Sequence, residues 1–519
     1  MRTLEALVFI ASIALCQAAA PVVVSTTSGR LHGLEDSGVM AFKGIRFAQP
    51  PVSSLRWEPP VPFVSTADHN TTVLSPSCLQ QFPFASAALD EFLFNNPANP
   101  PAESEDCLFL NVWAPAPSSR KLPVLVWIYG GALQFGTASL PAYDGVSIVE
   151  NQKIILVTFN YRLNVLGFPG SPDIPLGGNN LGYLDQELAL QWVQLNIAKF
   201  GGDPAQVTIM GQSAGSQSVS TALARHAPGH APFRAAILLS GAQTSISPIP
   251  SFSSFNNFSV SVGCSQQPGP ARLACLKKVP ASAIRNYTNG PTGASFEPIV
   301  DNVTVFSDPL SRIRNGLTAN VPFIIGNTQN DGSLFALPFP DLTTFLNAQF
   351  GPGVLTTAQI TPLYPGVNAS SLVAEVIKDL VFLCPAELWS GAAVGVGTTV
   401  FRYTYGAVFA DLQLFPNAGS WHSTELPEIF GTFNRTTATA AEATLSQTMQ
   451  TVIGNFVKNP AIAPASKWPK YVPGKQTTTL AKLAYNGNVD LSNLVEAVES
   501  DSIDGPCDAF WNKFLDVRE

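Results

Sequence analysis

Ser213 is the residue whose surroundings point most directly to chemistry. It stands in the motif Gly-Gln-Ser-Ala-Gly at positions 211–215, directly after the apolar, strand-like run 207–210. Glycine on both sides permits the tight strand-to-helix turn that exposes a serine hydroxyl at the start of a helix. The pattern also arises by chance in a chain with 39 glycines, but here both flanking segments fit. The motif predicts a nucleophilic serine.

A serine hydroxyl needs a general base within hydrogen-bond reach to attack a carbonyl carbon at neutral pH. The chain has five histidines: His32, His69, His226, His230 and His422. In α/β hydrolases an acid and then a histidine follow the serine along the chain. The first two histidines precede Ser213 and are expected on the surface. The next two follow it by only 13 and 17 residues, which leaves no room for an acid-bearing strand, so they are expected at a helix end or in a loop. His422 is the predicted base.

The acid that orients the histidine should follow a strand between the serine and the histidine. Asp331-Gly332 comes shortly after the apolar run 322–326, and its carboxylate could fix the imidazole tautomer and stabilise the imidazolium. Asp301 and Glu297 lie in the preceding segment and are competitors for this role. Asp-Gly is also a common turn pair, so spacing alone leaves these alternatives open.

Backbone N–H groups that could stabilise the negative oxygen of a reacting ester are expected in two segments. One is the N–H of Ala214, the residue after the nucleophile. The others are expected in Gly130-Gly131-Ala132, directly after the predicted strand 123–129. Glycine lets the backbone approach a substrate closely. The two segments together predict an oxyanion hole.

Short apolar runs predict the strands that must hold these residues. The runs are 123–129, 154–159, 206–210, 235–240, 322–326 and 399–405. Such near-continuous apolar runs are typical of parallel strands covered on both faces. A helix is predicted over 184–200, ending at Gly201-Gly202, with Asp185 and Glu187 in its first turn near the positive end of the helix dipole. The pattern predicts one α/β domain over residues 21–519, built on a large, mostly parallel central sheet with helices on both faces.

Composition excludes some functions. Only 12% of the 519 residues are charged and 46% are hydrophobic, which provides for one large core. The net charge is −8 and the pI is about 5.2, so the chain has no basic surface of the kind that binds nucleic acid or an anionic membrane.

Residues 1–20 have the features of an export signal peptide. Arg2 supplies a charged start, 7–15 is an apolar stretch, and Ala18-Ala19-Ala20 offers small residues for cleavage. Cleavage after any of the three alanines is compatible with the pattern, and Pro21 disfavours the last. The segment is too short to span a bilayer, so the protein is expected to be secreted.

Cysteines and glycosylation sequons agree with export. Of seven cysteines, Cys16 leaves with the signal peptide, and the remaining six predict three disulfide bonds in an oxidising compartment. No pair has zinc-like Cys-x-x-Cys spacing, so neither a metal nor a cofactor is expected. Six asparagines stand in acceptor sequons: Asn70, Asn257, Asn286, Asn302, Asn368 and Asn434.

Further motifs accompany the serine segment along nearly the whole mature chain. They lie at 42–48, 105–112, 160–163, 180–182 with Asp185-Gln186, 200–204 and 425–431. In this order they resemble the type-B carboxylesterase/lipase family, which includes the cholinesterases and secreted yeast-type lipases. Taken together, the sequence features resemble those of the secreted fungal members of this family. The resemblance implies the α/β-hydrolase fold and a serine esterase activity.

The resemblance also implies roles for individual residues. The family acid stands directly before a glycine, as Asp331 does here, although most members have glutamate at that position. The oxyanion donors are implied to be the N–H groups of Gly131, Ala132 and Ala214. The implied disulfide bonds are Cys78–Cys107, Cys264–Cys275 and Cys384–Cys507, and the implied structural ion pairs are Arg56–Glu105 and Arg162–Asp185.

Departures from the cholinesterases bear on the substrate. Those enzymes have glutamate directly before the nucleophile and a tryptophan in the first disulfide loop, whereas this chain has Gln212 and no tryptophan between Cys78 and Cys107. A cation–π site for choline is therefore unsupported. The loop between these two cysteines is the candidate lid. Its phenylalanines at 82, 84, 92 and 94 either form an interfacial flap that contacts lipid or pack on the body of the protein.

The sequence thus predicts a secreted serine hydrolase that cleaves largely apolar carboxylic esters through an acyl-enzyme on Ser213. A lipase or sterol esterase with an interfacial lid and a feruloyl-type phenolic esterase are the alternatives for substrate. A non-catalytic adhesion relative is the alternative of another class, although such relatives lose the serine or histidine and this chain keeps both. No nucleic-acid partner is expected, and the sequence leaves the oligomeric state open.

Overall fold

The structure of the protein is a computed structural model, and it describes residues 19–83, 86–96, 98–116, 121–474 and 476–516. Most of the predicted signal peptide, including Cys16, lies outside the described residues. None of the described helices combines the length and the apolar character needed to cross a bilayer.

Within the described residues, thirteen strands form one mixed sheet. The strands are β1 (Ala20–Thr26), β2 (Ser28–Asp36), β3 (Val39–Arg46), β4 (Ser65–Asn70), β5 (Phe109–Pro115), β6 (Leu122–Ile128), β7 (Ile155–Phe159), β8 (Gly202–Gln212), β9 (Ala235–Leu239), β10 (Phe323–Thr328), β11 (Val400–Tyr405), β12 (Thr478–Leu483) and β13 (Val495–Glu499). The spatial order is β1-β2-β3-β5-β7-β6-β8-β9-β10-β11-β12-β13, with β4 paired to β2.

The centre of the sheet is parallel, and its margins are antiparallel apart from β4, which pairs with β2 in parallel. From β7 through β6, β8, β9, β10 and β11 to β12, each neighbouring pair runs in the same direction. β1, β2, β3 and β5 pair antiparallel on one side, and β13 does so on the other. Parallel strands need long crossover connections, which place helices over the faces of the sheet.

Helices cover both faces of the sheet. They are α1 (Ala87–Phe94), α2 (Val146–Gln152), α3 (Asn164–Gly167), α4 (Leu181–Asn196), α5 (Ala214–Arg225), α6 (Ser253–Ser261), α7 (Pro270–Leu276), α8 (Ala281–Thr288), α9 (Pro309–Arg314), α10 (Ser333–Ala336), α11 (Leu342–Phe350), α12 (Thr357–Ile360), α13 (Ala369–Lys378), α14 (Cys384–Gly395), α15 (Leu426–Phe430), α16 (Ala440–Lys458), α17 (Asp501–Pro506) and α18 (Asn512–Leu515). All residues of β7, β9, β10 and β11 are buried. This agrees with strands covered on both sides and confirms the predicted α/β-hydrolase fold.

All six predicted strands are present, with small shifts at their ends. The largest shift is in β8, which begins at Gly202 rather than at 206 because Gly202 pairs with Leu122 of β6 across an irregular register. The apolar run misses these first residues since 203 and 204 are only partly buried and 205 is exposed.

The predicted helix 184–200 is present, but its start was placed wrongly. α4 runs from Leu181 to Asn196, and a 3₁₀ helix at Ile197–Phe200 follows it directly. Asp185 and Glu187 therefore lie beyond the first turn, and the proposed interaction with the helix dipole is wrong. Gly182 lowers helix propensity, yet it stands inside α4 because a Cβ there would lie 2.5 Å from the Arg162 carbonyl oxygen.

The three disulfide bonds implied by the family resemblance are present. They join Cys78 to Cys107, Cys264 to Cys275 and Cys384 to Cys507. The bond between Cys384 and Cys507 links α14 to the C-terminal helical segment, where Trp511 is fully buried. Each bond lowers the entropy of the unfolded chain.

The two implied ion pairs are also present, and both are buried. The guanidinium of Arg56 donates to both carboxylate oxygens of Glu105, at 2.5 and 2.6 Å. Arg162 donates from Nε and Nη2 to Asp185 at 2.8 and 2.7 Å, and from Nη1 to the Glu58 carbonyl oxygen at 2.9 Å. Asp185 is fully buried, so its charge depends on this partner.

We expect Arg162→Met to destabilise the fold strongly, because Asp185 would remain buried without its cation. The expected loss is about 3–5 kcal/mol in the free energy of unfolding, measured by urea denaturation. The control is Arg30→Met, since Arg30 and Asp68 form an ion pair whose side chains are more than half exposed. A loss at Arg162 no larger than that at Arg30 would contradict the expectation.

Candidate active site

The sheet brings the predicted site residues to one edge. Ser213 directly follows β8, Asp331 lies in the loop after β10, and His422 lies in the loop after β11. The segment Gly130-Gly131-Ala132 follows β6. Since these strands are parallel, their carboxyl ends lie at the same edge, where ligands of open α/β sheets bind.

The turn at Ser213 has the strained geometry of a nucleophile elbow. The backbone angles of Ser213 are φ 58° and ψ −125°, a region that side-chain-bearing residues rarely adopt. The flanking glycines are required by close packing, because a Cβ on Gly211 would lie 2.2 Å from the Gly215 carbonyl oxygen. A Cβ on Gly215 would lie 2.0 Å from that of Ile128. The turn therefore accepts no larger residue at either glycine.

His422 and Asp331 are in direct contact. His422 Nδ1 lies 2.8 Å from Asp331 Oδ1, and both side chains are buried. The other oxygen of Asp331 accepts hydrogen bonds from the Ser240 hydroxyl at 2.9 Å and the Thr328 N–H at 2.8 Å. These donors hold the carboxylate in place, so that Oδ1 can accept the N–H at Nδ1 and fix the imidazole tautomer.

Aromatic rings hold the imidazole from two sides. The centroid of the His422 ring lies 5.0 Å from that of Phe335 and 4.8 Å from that of Phe382. Phe335 belongs to α10, and Phe382 to the π-helical turn between α13 and α14. These contacts restrict rotation of the ring.

Gln212 is a contact of the histidine that the sequence did not predict. Its Nε2 lies 3.0 Å from His422 Nε2, and both groups are buried. In the described part of the chain, Asp331 and Gln212 are the hydrogen-bond partners of the two ring nitrogens. The adjacency of Gln212 to Ser213 was the only available signal, since side-chain direction in a strained turn cannot be inferred from spacing.

The proposed oxyanion segments lie against each other. A Cβ on Gly130 would lie 2.8 Å from the Cβ of Ser213, so this loop approaches the elbow closely. Gly131 has φ +114° and no room for a Cβ, which would lie 2.2 Å from the Phe135 carbonyl oxygen. Ala214 is the first residue of α5, so its N–H has no partner within the helix.

Ser213 and His422 open into a cavity of about 640 Å³. Most of its wall is apolar and comes from the first disulfide loop, the loop after β6 and α10: Pro83, Ala87, Ala88, Leu89, Phe94, Phe135, Leu334, Phe335, Leu337 and Pro338. Asp90 is the one carboxylate among the described lining residues, and burial raises its pKa. The cavity is large enough for an apolar ester of moderate size.

We call residues 79–106, between the first pair of bonded cysteines, the lid loop. Phe82 is fully buried and stacks on Phe135 with ring centroids 5.3 Å apart, and Phe94 lies 5.2 Å from the same ring. Phe92 is 59% exposed, and Phe84 lies outside the described residues. The lid loop thus packs on the body through Phe82 and Phe94 and presents Phe92 to solvent.

A second carboxyl group lies near Asp331. Glu425, three residues after His422, is fully buried, and both burial and the charge of Asp331 raise its pKa to about 8. It therefore holds a proton at neutral pH and adds no negative charge beside the Asp331–His422 pair.

The competing acids have other positions. Asp301 accepts hydrogen bonds from the N–H groups of Val303, Thr304 and Val305 and so closes its own turn. Glu297 accepts from Ser295. Neither contacts His422, and the structure brings only Asp331 to its Nδ1.

The other histidines lie where the sequence suggested. His226 is at the C-terminal end of α5 beside Glu187, and His230 is in the following loop. His32 and His69 are partly exposed on β2 and β4. None of the four lines the cavity that contains Ser213.

One described group of side chains has the proximity of metal ligands: Glu387, Asp504 and Cys507. The sulfur of Cys507 is bonded to Cys384, and Arg402 donates to both carboxylate oxygens of Asp504. The donor atoms are thus already engaged, and the group does not suit a metal ion.

Comparisons with known proteins agree with this geometry. A model of the carboxylesterase family matches residues 20–349 and 365–499. The chain is 32% identical over 504 residues to a cholinesterase of Mus musculus, covering 88% of this chain and 82% of that protein. It is 32% identical over 524 residues to secreted lipase 1 of Botryotinia fuckeliana (strain B05.10), covering 89% and 90%. The solved structure of a PNB esterase superimposes with a TM-score of 0.76 at 29% identity, covering 93% of this chain and 99% of that one. The chain belongs to the carboxylesterase family and is a carboxylic-ester hydrolase.

Proposed function

We propose that the protein cleaves largely apolar esters through a covalent acyl-enzyme on Ser213. The observation that carries the proposal is that Ser213 and His422, which is hydrogen-bonded to Asp331, line the same largely apolar cavity. A non-catalytic adhesion role is disfavoured because both the serine and the histidine are present.

The polar groups of the site support the following reaction. The Ser213 oxygen attacks the ester carbonyl carbon while its proton moves to Nε2 of His422, and Asp331 stabilises the resulting imidazolium. The carbonyl oxygen becomes negative and accepts hydrogen bonds from the N–H groups of Gly131, Ala132 and Ala214. The alcohol leaves with the proton from Nε2, and a water molecule then releases the acid by the same steps in reverse order.

The cavity wall supports an apolar substrate. Apart from Asp90, Ser86, Gln212 and the proposed reacting groups, its lining side chains are alanine, leucine, proline and phenylalanine. Leu337, which lines the cavity, is 51% exposed, and Phe92, on the same helix α1 as several lining residues, is 59% exposed. This favours acylglycerols or sterol esters presented at a lipid interface over soluble phenolic esters.

We also propose that the protein is secreted. The predicted signal peptide, three disulfide bonds and two relatives whose names describe secreted lipases support export. All six sequon asparagines are exposed, as glycosylation requires: Asn70, Asn257, Asn286, Asn302, Asn368 and Asn434.

Covalent labelling tests the reaction. We expect an alkyl phosphonate to add one adduct at Ser213, identified by mass spectrometry, and Ser213→Ala to abolish both adduct and ester hydrolysis. Asp331→Asn should lower kcat about 10⁴-fold, because the neutral amide no longer holds the reactive tautomer. Glu297→Gln is the matched control for the alternative acid and should change kcat less than tenfold. An unlabelled Ser213, or the larger loss at Glu297, would overturn the assignment.

The lid loop generates a second expectation. Phe92→Ser should lower kcat/KM on an emulsified triacylglycerol roughly tenfold, because an exposed phenylalanine gains free energy on entering lipid. Hydrolysis of a short, dissolved ester should change little. Val64→Ser, an exposed apolar residue outside the cavity, is the control. Equal losses on both substrates would argue against an interfacial role for the lid loop.

A further inference from the structure

Gln212, the residue before Ser213, contacts the ring nitrogen of His422 that must accept the proton of Ser213. Asp331 engages Nδ1 of His422, and the carboxamide of Gln212 lies 3.0 Å from Nε2. Nε2 is also the atom that would receive the proton of Ser213 in the proposed reaction. The amide N–H of Gln212 and the hydroxyl of Ser213 therefore compete to donate to the same lone pair on Nε2.

The proton positions in the resting site are determined by Asp331. Its carboxylate accepts from Ser240, from Thr328 and from the imidazole, so the imidazole proton is on Nδ1. Nε2 of this neutral tautomer has a lone pair and no hydrogen. The carboxamide N–H of Gln212 can donate to that lone pair, and the contact is a regular hydrogen bond.

The same contact is unfavourable once the proton moves. When Nε2 accepts the proton of Ser213 it becomes an N–H donor, and it then faces the NH₂ group of Gln212, which is also a donor. The carboxamide must move away or rotate so that its oxygen faces Nε2. A carboxamide can serve both states because it carries a donor and an acceptor.

We infer that Gln212 is a positioning residue that holds Nε2 of His422 in the resting enzyme and yields it to Ser213 when an ester binds. The inference rests on the proposed function. It predicts that the resting contact slows attack by Ser213 and that the chemical nature of side chain 212 sets the pH range of the enzyme.

The charged and titratable groups around the His422 ring lie away from Nε2, so the effect of side chain 212 on Nε2 can be measured separately from theirs. Asp331 faces Nδ1, and protonated Glu425 lies on the same loop as His422. Tyr403 on β11 is buried, and its pKa is raised by burial, so it stays neutral. Asp90 lines the same cavity from α1. Among these described groups none places a charge at Nε2, where Gln212 presents a neutral amide.

Gln212→Met isolates the resting hydrogen bond, because methionine has a similar length and no strong donor. At a pH on the upper plateau we expect an alkyl phosphonate to label Ser213 roughly two- to tenfold faster than in the wild type. The bimolecular labelling rate is measured by quenched mass spectrometry. Gln212→Leu is the second variant and should change in the same direction.

Gln212→Glu tests the effect of charge. A carboxylate beside Nε2 favours the imidazolium, so the acid limb of the kcat/KM profile should move upward by about one pH unit or more. Gln217→Glu introduces the same change on α5 at a residue that does not line the cavity. That control should move the acid limb by less than half as much.

The outcomes distinguish the inference from the function on which it rests. If the phosphonate does not label Ser213 in the wild type, both the proposed function and the role of Gln212 are wrong. A labelled wild type with methionine and leucine variants that react no faster, although their thermal unfolding matches the wild type, overturns the role of Gln212 and leaves the hydrolase intact. An acid limb that moves equally in both glutamate variants also overturns it.

Discussion

The parallel pairing of β6, β8, β9, β10 and β11 is the constraint on which the site depends. Asp331 and His422 are 91 residues apart in the chain and meet at 2.8 Å, because β10 and β11 are neighbours that run in the same direction. β8 delivers Ser213 to the same edge two strands away from β10. No local interaction could bring these groups together, so the site requires the completed sheet and the helices that cover it.

Close packing around the elbow explains how the strain at Ser213 persists. The turn at positive φ costs free energy, and it is held because β6, β8 and the start of α5 leave no alternative space. The distances that exclude a Cβ at Gly211 and Gly215 express this packing. The two carboxyl groups beside His422 also depend on their surroundings. Asp331 accepts hydrogen bonds from Ser240 and Thr328, and burial keeps Glu425 protonated.

The strands and the order of reacting residues could be predicted because apolar runs and glycines are local signals. The choice among Asp331, Asp301 and Glu297 could not be made from spacing, since all three lie between Ser213 and His422. Only the fold shows that Asp301 closes its own turn. The start of α4 was misplaced because Gly182 is selected by its contact with Arg162 rather than by helix propensity. The contact of Gln212 with His422 depends on side-chain direction in a strained turn, which the adjacency of Gln212 to Ser213 in the sequence does not determine.

The bond between Cys78 and Cys107 holds the two ends of the lid loop with their Cα atoms 4.9 Å apart. If α1 moves, both ends of the lid loop stay fixed by the disulfide bond. The part of the cavity wall that carries Phe94 can therefore return to the same position after each turnover. Oxidation during export would fix this anchor before the first ester arrives. A chain kept in a reducing compartment would retain every reacting group but would lack the Cys78–Cys107 bond. The two ends of its lid loop could then move independently of each other.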